Sequence, residues 1–172
     1  MHRILRPPDA EIPSAYLEYT KLAEGNNLAE ALSVSRNMTI DLFDSIPPEK
    51  ENFCYAEGKW SLKTVLSHIN DSERVFAYRA LRFSRFDSTE LPGFDENEYA
   101  VNCNADARKL WDIRDEYLSV REATVLLFKG MTAGMLSFKG TANELVLTPS
   151  ALGWIIAGHN VHHCHVIKRR YL

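Results

Sequence analysis

Four stretches of this chain carry apolar side chains at the three- and four-residue spacing of one helix face. Proline and glycine clusters separate them: Pro47-Pro48, Pro92-Gly93 and the glycines between residues 130 and 140. Four amphipathic helices in a chain this short predict an all-α fold, a four-helix bundle. The connections are longer than those of a minimal bundle, so we expect at least one long crossover connection.

Capping residues predict where these helices begin. The first predicted helix runs from Asn27 to Ser45, and the second follows Ser61 as its N-cap. The third begins near Asn104, and the fourth has Thr148 as N-cap and Pro149 at its first position. The segments 137–139 and 145–147 have weaker patterns, which fit two very short strands.

The overall composition predicts one ordinary globular domain over residues 1–172. A formal net charge of -3 disfavours direct binding to nucleic acid or to an anionic membrane surface. The sequence contains no apolar run of the roughly 18 residues that a membrane span needs. The N-terminal residues do not resemble a signal peptide, and three widely spaced cysteines predict no disulfide framework, so we expect a cytoplasmic protein.

Four histidines lie in the last predicted helix, at positions 159, 162, 163 and 165. At about 100° per residue, His159 and His163 straddle the centre of the apolar stripe, His162 lies at its margin and His165 lies outside it. An inward-facing pair of imidazoles at i and i+4 can hold one metal ion. The alternative is that both are core histidines bonded to the backbone or to each other, and the spacing alone does not decide between the two.

His68 is the candidate third ligand, in the helix that begins after Ser61. It lies on the flank of that helix's apolar stripe, in line with Ser61, Ser72 and Arg79 at roughly heptad spacing. Such a polar strip can line a cleft between two helices, or it can simply face water. Periodicity alone favours the second interpretation for His68.

A longer set of motifs resembles the DinB/YfiT-like family of metal-binding four-helix bundles. The matching segments begin with Trp60-Ser61, continue through His68 and residues 71–82, include 91–95 and Tyr99, and close with Gly158-His159, His162-His163 and Tyr171. The resemblance spans nearly the whole chain from about Tyr16. It implies that His68, His159 and His163 ligate one metal. It also implies an up-down-down-up bundle with a long crossover, a cytoplasmic location and frequent homodimers.

Three neutral imidazoles and an open position are the donor pattern of catalytic zinc sites, and nickel also suits imidazole ligands. Three functions fit such a site, and the first two of them act on a small-molecule substrate. We rank transfer of a low-molecular-weight thiol to an electrophile first, because members of the wider family resemble thiol transferases. Hydrolysis of a small amide or ester comes second, and a stress-induced metal-binding module without turnover comes third. Asp71 and Ser72 are within helical reach of His68, but no motif assigns a catalytic residue or an organic cofactor site.

Two further predictions concern side chains away from the metal. Glu73 and Arg121 each fall about 20° from the apolar reference of their helices, so both charges should point into the bundle. We expect that they pair with each other or that each has a different buried partner. Cys164 falls about 180° from Ile155 on the helical count, away from the centre of the apolar stripe, and we expect that it does not ligate the metal.

Overall fold

Helices dominate the computed structural model, which describes residues 3–172. Four long helices, α2, α3, α5 and α7, form the bundle, and α7 packs against α1, α2 and α3. In chain order the elements are α1 (Ser14–Leu22), α2 (Leu28–Ser45), α3 (Leu62–Ser84), α4 (Glu96–Asn102), α5 (Leu110–Lys129), α6 (Ala133–Ser137), β1 (Gly140–Ala142), β2 (Leu145–Leu147) and α7 (Pro149–Arg170).

Contacts between rings show that α3 and α7 are antiparallel. The ring of His68 lies 4.8 Å from that of His163, and the ring of Phe76, two turns further along α3, lies 6.1 Å from that of His159. Moving towards the C-terminus of α3 therefore means moving towards the N-terminus of α7. This arrangement lets one histidine of α3 face an i, i+4 pair on α7.

By contrast, α3 and α5 are parallel. Asn70 donates a hydrogen bond to the carbonyl of Ile113, and Glu73, further along α3, pairs with Arg121, further along α5. A parallel pair cannot be joined by a tight turn, so the chain must return along the bundle between the two helices. Residues 85–109 make this long crossover, and α4 lies within it.

The direction of α2 completes the topology. Leu28 lies against Gly153, and Thr39, three turns later, lies beside Cys164, so α2 and α7 are parallel. In chain order the bundle helices therefore run up, down, down and up. The all-α fold, the four-helix bundle and the crossover that we predicted are confirmed.

Three of the predicted helix starts are confirmed by their caps. The side chains of Asn27, Ser61 and Thr148 each accept a hydrogen bond from a backbone N–H in the first turn of α2, α3 and α7. The predicted start near Asn104 is wrong, because Asn104 has a left-handed backbone (φ 54°) and a single 3-10 turn follows it. The helix α5 begins only at Leu110.

A small hairpin lies between α6 and α7. The predicted strand Leu145–Leu147 is confirmed as β2, but its partner β1 is Gly140–Ala142 rather than residues 137–139. Asn143 and Glu144 form the turn with φ values of 50° and 62°, as a two-residue hairpin loop requires. Leu91 of the crossover pairs with Ala142, which ties the crossover to the hairpin.

A buried polar layer divides the apolar core into two clusters. At its centre Arg121, which is fully buried, donates to both carboxylate oxygens of Glu73, with Nε–Oε1 at 2.9 Å and Nη2–Oε2 at 2.8 Å. Its remaining donors reach the Leu32 carbonyl, the Ser35 hydroxyl and the Asn160 side chain. The predicted pairing of the two charges inside the bundle is confirmed.

The helix α7 is buried on two faces, so a single apolar stripe describes it incompletely. The side chain of Cys164 points away from the histidine pair, as predicted, but it is fully buried against α2, with Sγ 3.3 Å from Thr39 Oγ1. Within residues 3–172, no helix is both long enough and hydrophobic enough to span a membrane.

Candidate metal centre

The structure brings the three predicted histidines to one point. Nε2 of His159 lies 3.2 Å from Nε2 of His68 and 3.1 Å from Nε2 of His163. One ring nitrogen from each residue lies within 4.8 Å of the other two. Zinc–nitrogen bonds of about 2.1 Å imply nitrogen–nitrogen separations of about 3.0–3.4 Å for right-angled to tetrahedral coordination. The two closest separations therefore match those around a single ion.

Hydrogen bonding alone does not account for this arrangement. A ring nitrogen of a neutral imidazole carries either one proton or one lone pair, so it makes one hydrogen bond. Nε2 of His159 faces two other Nε2 atoms and can pair with only one of them. A divalent cation accepts the lone pairs of all three, so the donor set fits a metal better than it fits a triad without one.

Burial keeps the three imidazoles neutral, which is the form that binds a metal. Loss of hydration lowers the pKa of His68 to about 4 and that of His163 to about 3. The pKa of His159, the most deeply buried of the three, is also lowered well below its usual value, first by burial and then by the neighbouring histidines. At neutral pH all three lone pairs are therefore available.

Aromatic rings hold the histidines in place. The indole of Trp60, just before α3, lies 5.0 Å from the His68 ring, and Tyr19 of α1 meets the ring of His159 edge-on at 5.3 Å. Tyr19 reaches this position because Gly158 has no side chain. A Cβ at Gly158 would lie 1.7 Å from the Tyr19 carbonyl oxygen.

The second ring nitrogens are less well supported than a metal ligand's usually are. Nδ1 of His163 is buried without a hydrogen-bond partner among the described residues. Nδ1 of His68 lies 3.5 Å from the Ser72 hydroxyl, which is a weak contact at best.

The triad opens on one side into a cavity of about 330 Å³. This space is large enough for a small organic molecule but not for a folded partner. Aromatic and polar side chains share its walls. Besides the three histidines, the lining residues are Ala15, Tyr16, Tyr19, Trp60, Ser72, Phe76, Arg79, Phe94, Glu96 and Asn143.

The other candidate residues divide between the cavity and its surroundings. Ser72 lines the cavity with its hydroxyl 3.4 Å from Nε2 of His68, whereas Asp71 faces a separate surface depression. His162 stacks edge-on against Tyr19 at 5.1 Å, and His165 is exposed. Neither extra histidine belongs to the triad, as their helical angles predicted.

Sequence patterns did not single out Tyr19 or Glu96 as cavity residues. Glu96 is exposed at the first position of α4, where Asp95 is the N-cap, and acidic residues are common there for reasons of helix stability alone. Arg79 was on the polar strip of α3, and its seven-residue spacing from Ser72 was the only signal of its position.

Comparisons with known proteins agree with this architecture. The family model of the DinB superfamily matches residues 31–167 of the chain. A solved structure also matches: YfiT from Bacillus subtilis, described as a probable metal-dependent hydrolase with an unusual four-helix bundle topology. It has a TM-score of 0.68 and 14% sequence identity, and the match covers 96% of this chain and 93% of that chain. A comparison with curated proteins found no significant match.

Proposed function

This chain belongs to the DinB superfamily, and we propose that it is a metal-dependent hydrolase of a small amide or ester. His68, His159 and His163 would hold one divalent transition metal, zinc or nickel. The observation that carries the proposal is the convergence of three neutral ring nitrogens at the wall of an open cavity. The description of YfiT as a probable metal-dependent hydrolase supports the same chemistry for a protein of the same fold.

A divalent ion with three imidazole ligands and an open position polarises a carbonyl and lowers the pKa of water. The chain supplies groups that can assist at the same cavity. The carboxylate of Glu96 is the acidic group among the lining residues, and we assign it the role of proton acceptor. Tyr19 is a hydrogen-bond donor at neutral pH, since burial raises the pKa of its phenol.

The substrate we propose is a small cytoplasmic molecule. The cavity volume of about 330 Å³ is at the small end of the range for ligand pockets. Its aromatic walls, formed by Tyr16, Trp60 and Phe94, favour a substrate with an apolar part. The net charge of -3 argues against nucleic acid.

Transfer of a low-molecular-weight thiol to a small electrophile is the second candidate. One feature of the triad favours it: all three donors are neutral nitrogens, so the ion would keep its full charge and would favour an incoming thiolate. None of the three cysteines lines the cavity in the described part of the chain, so this thiol would have to come from a second small molecule.

Two parallel assays on the metal-loaded protein distinguish these candidates. The first contains a panel of chromogenic esters and amides without thiol, and the second contains a panel of thiols with an electrophile. We expect hydrolysis in the first assay. Adducts that form only in the second assay would favour transfer, and silence in both would favour a stress-induced metal-binding module without turnover.

Metal analysis of single alanine variants tests the site itself. Replacing His68, His159 or His163 should remove most of the metal and the activity. Replacing His162 or His165, which lie on the same helix outside the triad, should leave both close to wild type. Circular dichroism verifies folding. Retained metal in the His159 variant, or equal loss in the His162 variant, would contradict the assignment.

A further inference from the structure

Arg79 is a buried arginine without a carboxylate partner. Its side chain lies on α3, the residue is 3% exposed, and no carboxylate oxygen of the described residues lies within 4.0 Å of it. Its one hydrogen bond runs from Nη2 to the Pro92 carbonyl at 3.0 Å. Burying an arginine costs free energy unless its charge is compensated, so this arrangement requires an explanation.

The charge of the other deeply buried arginine, Arg121, is compensated by a carboxylate inside the bundle. Arg121 makes paired hydrogen bonds to Glu73, and its other donors reach three further acceptors. The core of this protein therefore does provide an anion where a guanidinium is structural. Arg79 has a single neutral acceptor and the face of Phe76 at 5.8 Å instead.

The missing partner of Arg79 would lie in the cavity. Arg79 lines the same 330 Å³ space as the histidine triad. It is eleven residues beyond His68, which is about 16 Å along the axis of α3. The guanidinium carbon of Arg79 lies 5.8 Å from the centre of the Phe76 ring, one turn closer to His68, so the charged group is displaced towards the triad. A small bifunctional molecule in the shared cavity can therefore contact both Arg79 and the triad.

We propose that Arg79 binds a carboxylate of the substrate while the reacting carbonyl lies at the histidine triad. This inference rests on the proposed function and narrows it to amides or esters that also carry a free carboxylate. The planar guanidinium is suited to a carboxylate because two parallel N–H groups match its two oxygens. Glu96 also lines the cavity, but it is exposed and forms no ion pair with Arg79 among the described residues, so it leaves this position open.

The test uses binding as well as turnover. The zinc-loaded protein is titrated by calorimetry with linear dicarboxylates from malonate to suberate. The best of these is then compared with its monoamide, which has the same length and one anion fewer. We expect an affinity maximum at one chain length and at least about tenfold weaker binding of the monoamide. If the affinity of the wild-type protein depends neither on chain length nor on the second carboxylate, the proposal is overturned.

Variants then assign the effect to one residue. Arg79→Gln should bind the dicarboxylate and its monoamide equally while retaining wild-type zinc content. The matched control is Arg74→Gln, an exposed arginine on the same helix outside this cavity, which should keep the tenfold difference. A tenfold difference that survives in Arg79→Gln would refute the role of Arg79.

Turnover separates this proposal from the proposed function. Selective dicarboxylate binding without any hydrolysis would support Arg79 and contradict the hydrolase. Hydrolysis that does not distinguish an anionic ester from its neutral analogue would support the hydrolase and contradict Arg79.

Discussion

Replacing Gly158 by alanine should destabilise the protein and disturb the site without touching a metal-binding side chain. The added Cβ would lie 1.7 Å from the Tyr19 carbonyl oxygen and 2.4 Å from its carbonyl carbon. A carbon and an oxygen normally approach to about 3.3 Å. The shortfall is therefore about 1.6 Å, and α1 must move by this amount because a backbone group cannot rotate away as a side chain can.

The expected cost follows from this overlap. An overlap of this size with a backbone group belongs to the upper part of the range for overpacking, about 2–3 kcal/mol, while the better helix propensity of alanine returns about 1 kcal/mol. The net loss is about 1–2 kcal/mol. For a protein of this size each kcal/mol lowers Tm by about 2–4 °C, so we expect a decrease of about 2–8 °C in thermal unfolding followed by circular dichroism.

The site should respond separately from the fold. Tyr19 moves with α1 and should withdraw from His159, which widens the cavity and reduces turnover. Metal content should remain, because the triad lies on α3 and α7. Gly134→Ala is the matched control, since nothing lies within 4 Å of a Cβ there. Equal Tm values for wild type and both variants would refute the close approach of α1 to α7.

Three further predictions concern the core and the titrating groups. Glu73→Gln should destabilise the protein by about 3–5 kcal/mol in urea unfolding because it leaves Arg121 buried without an anion; a loss below about 1 kcal/mol would contradict this. In the metal-free protein the folded-state pKa values of His68 (about 4) and His163 (about 3) lie below the unfolded value of 6.5. Stability should thus be complete above pH 6.5 and fall on acidification by up to about 1.4 kcal/mol per pH unit for each of these histidines, and a flat profile between pH 6.5 and 5 would be inconsistent with this. Cys164→Ser should keep its metal, and metal loss would mean that α7 is oriented differently.

Helical periodicity placed His159 and His163 correctly on the apolar side of α7. In the structure this side carries both rings to His68 of α3, at 5.1 and 4.8 Å. The same method failed to describe Cys164, because α7 is the central helix and a second face packs on α2. A helix enclosed on two sides has no single polar face from which an orientation can be measured.

Other features depend on contacts between distant segments. Periodicity does not give the direction of a helix, so the up-down-down-up order followed from the family resemblance and not from spacing. The short helix α1 was missed because its place is determined by the contact of Tyr19 with Gly158, far along the chain. His68 lay on the flank of its stripe for a similar reason: its burial comes from Trp60 and α7 rather than from the centre of the bundle.

The buried polar layer and the histidine triad occupy adjacent levels of the same two helices. Arg121 donates to Glu73 on α3 at 2.8 Å and to Asn160 on α7 at 2.9 Å, so one guanidinium joins these helices. Glu73 is five residues from His68, and Asn160 directly follows His159. A slip of one turn between α3 and α7 would be about 5.4 Å, which would separate His68 from His159. Such a slip would also leave the buried charge without its acceptors, so the ion pair fixes the helix register on which the 3.2 Å approach of the two imidazoles depends.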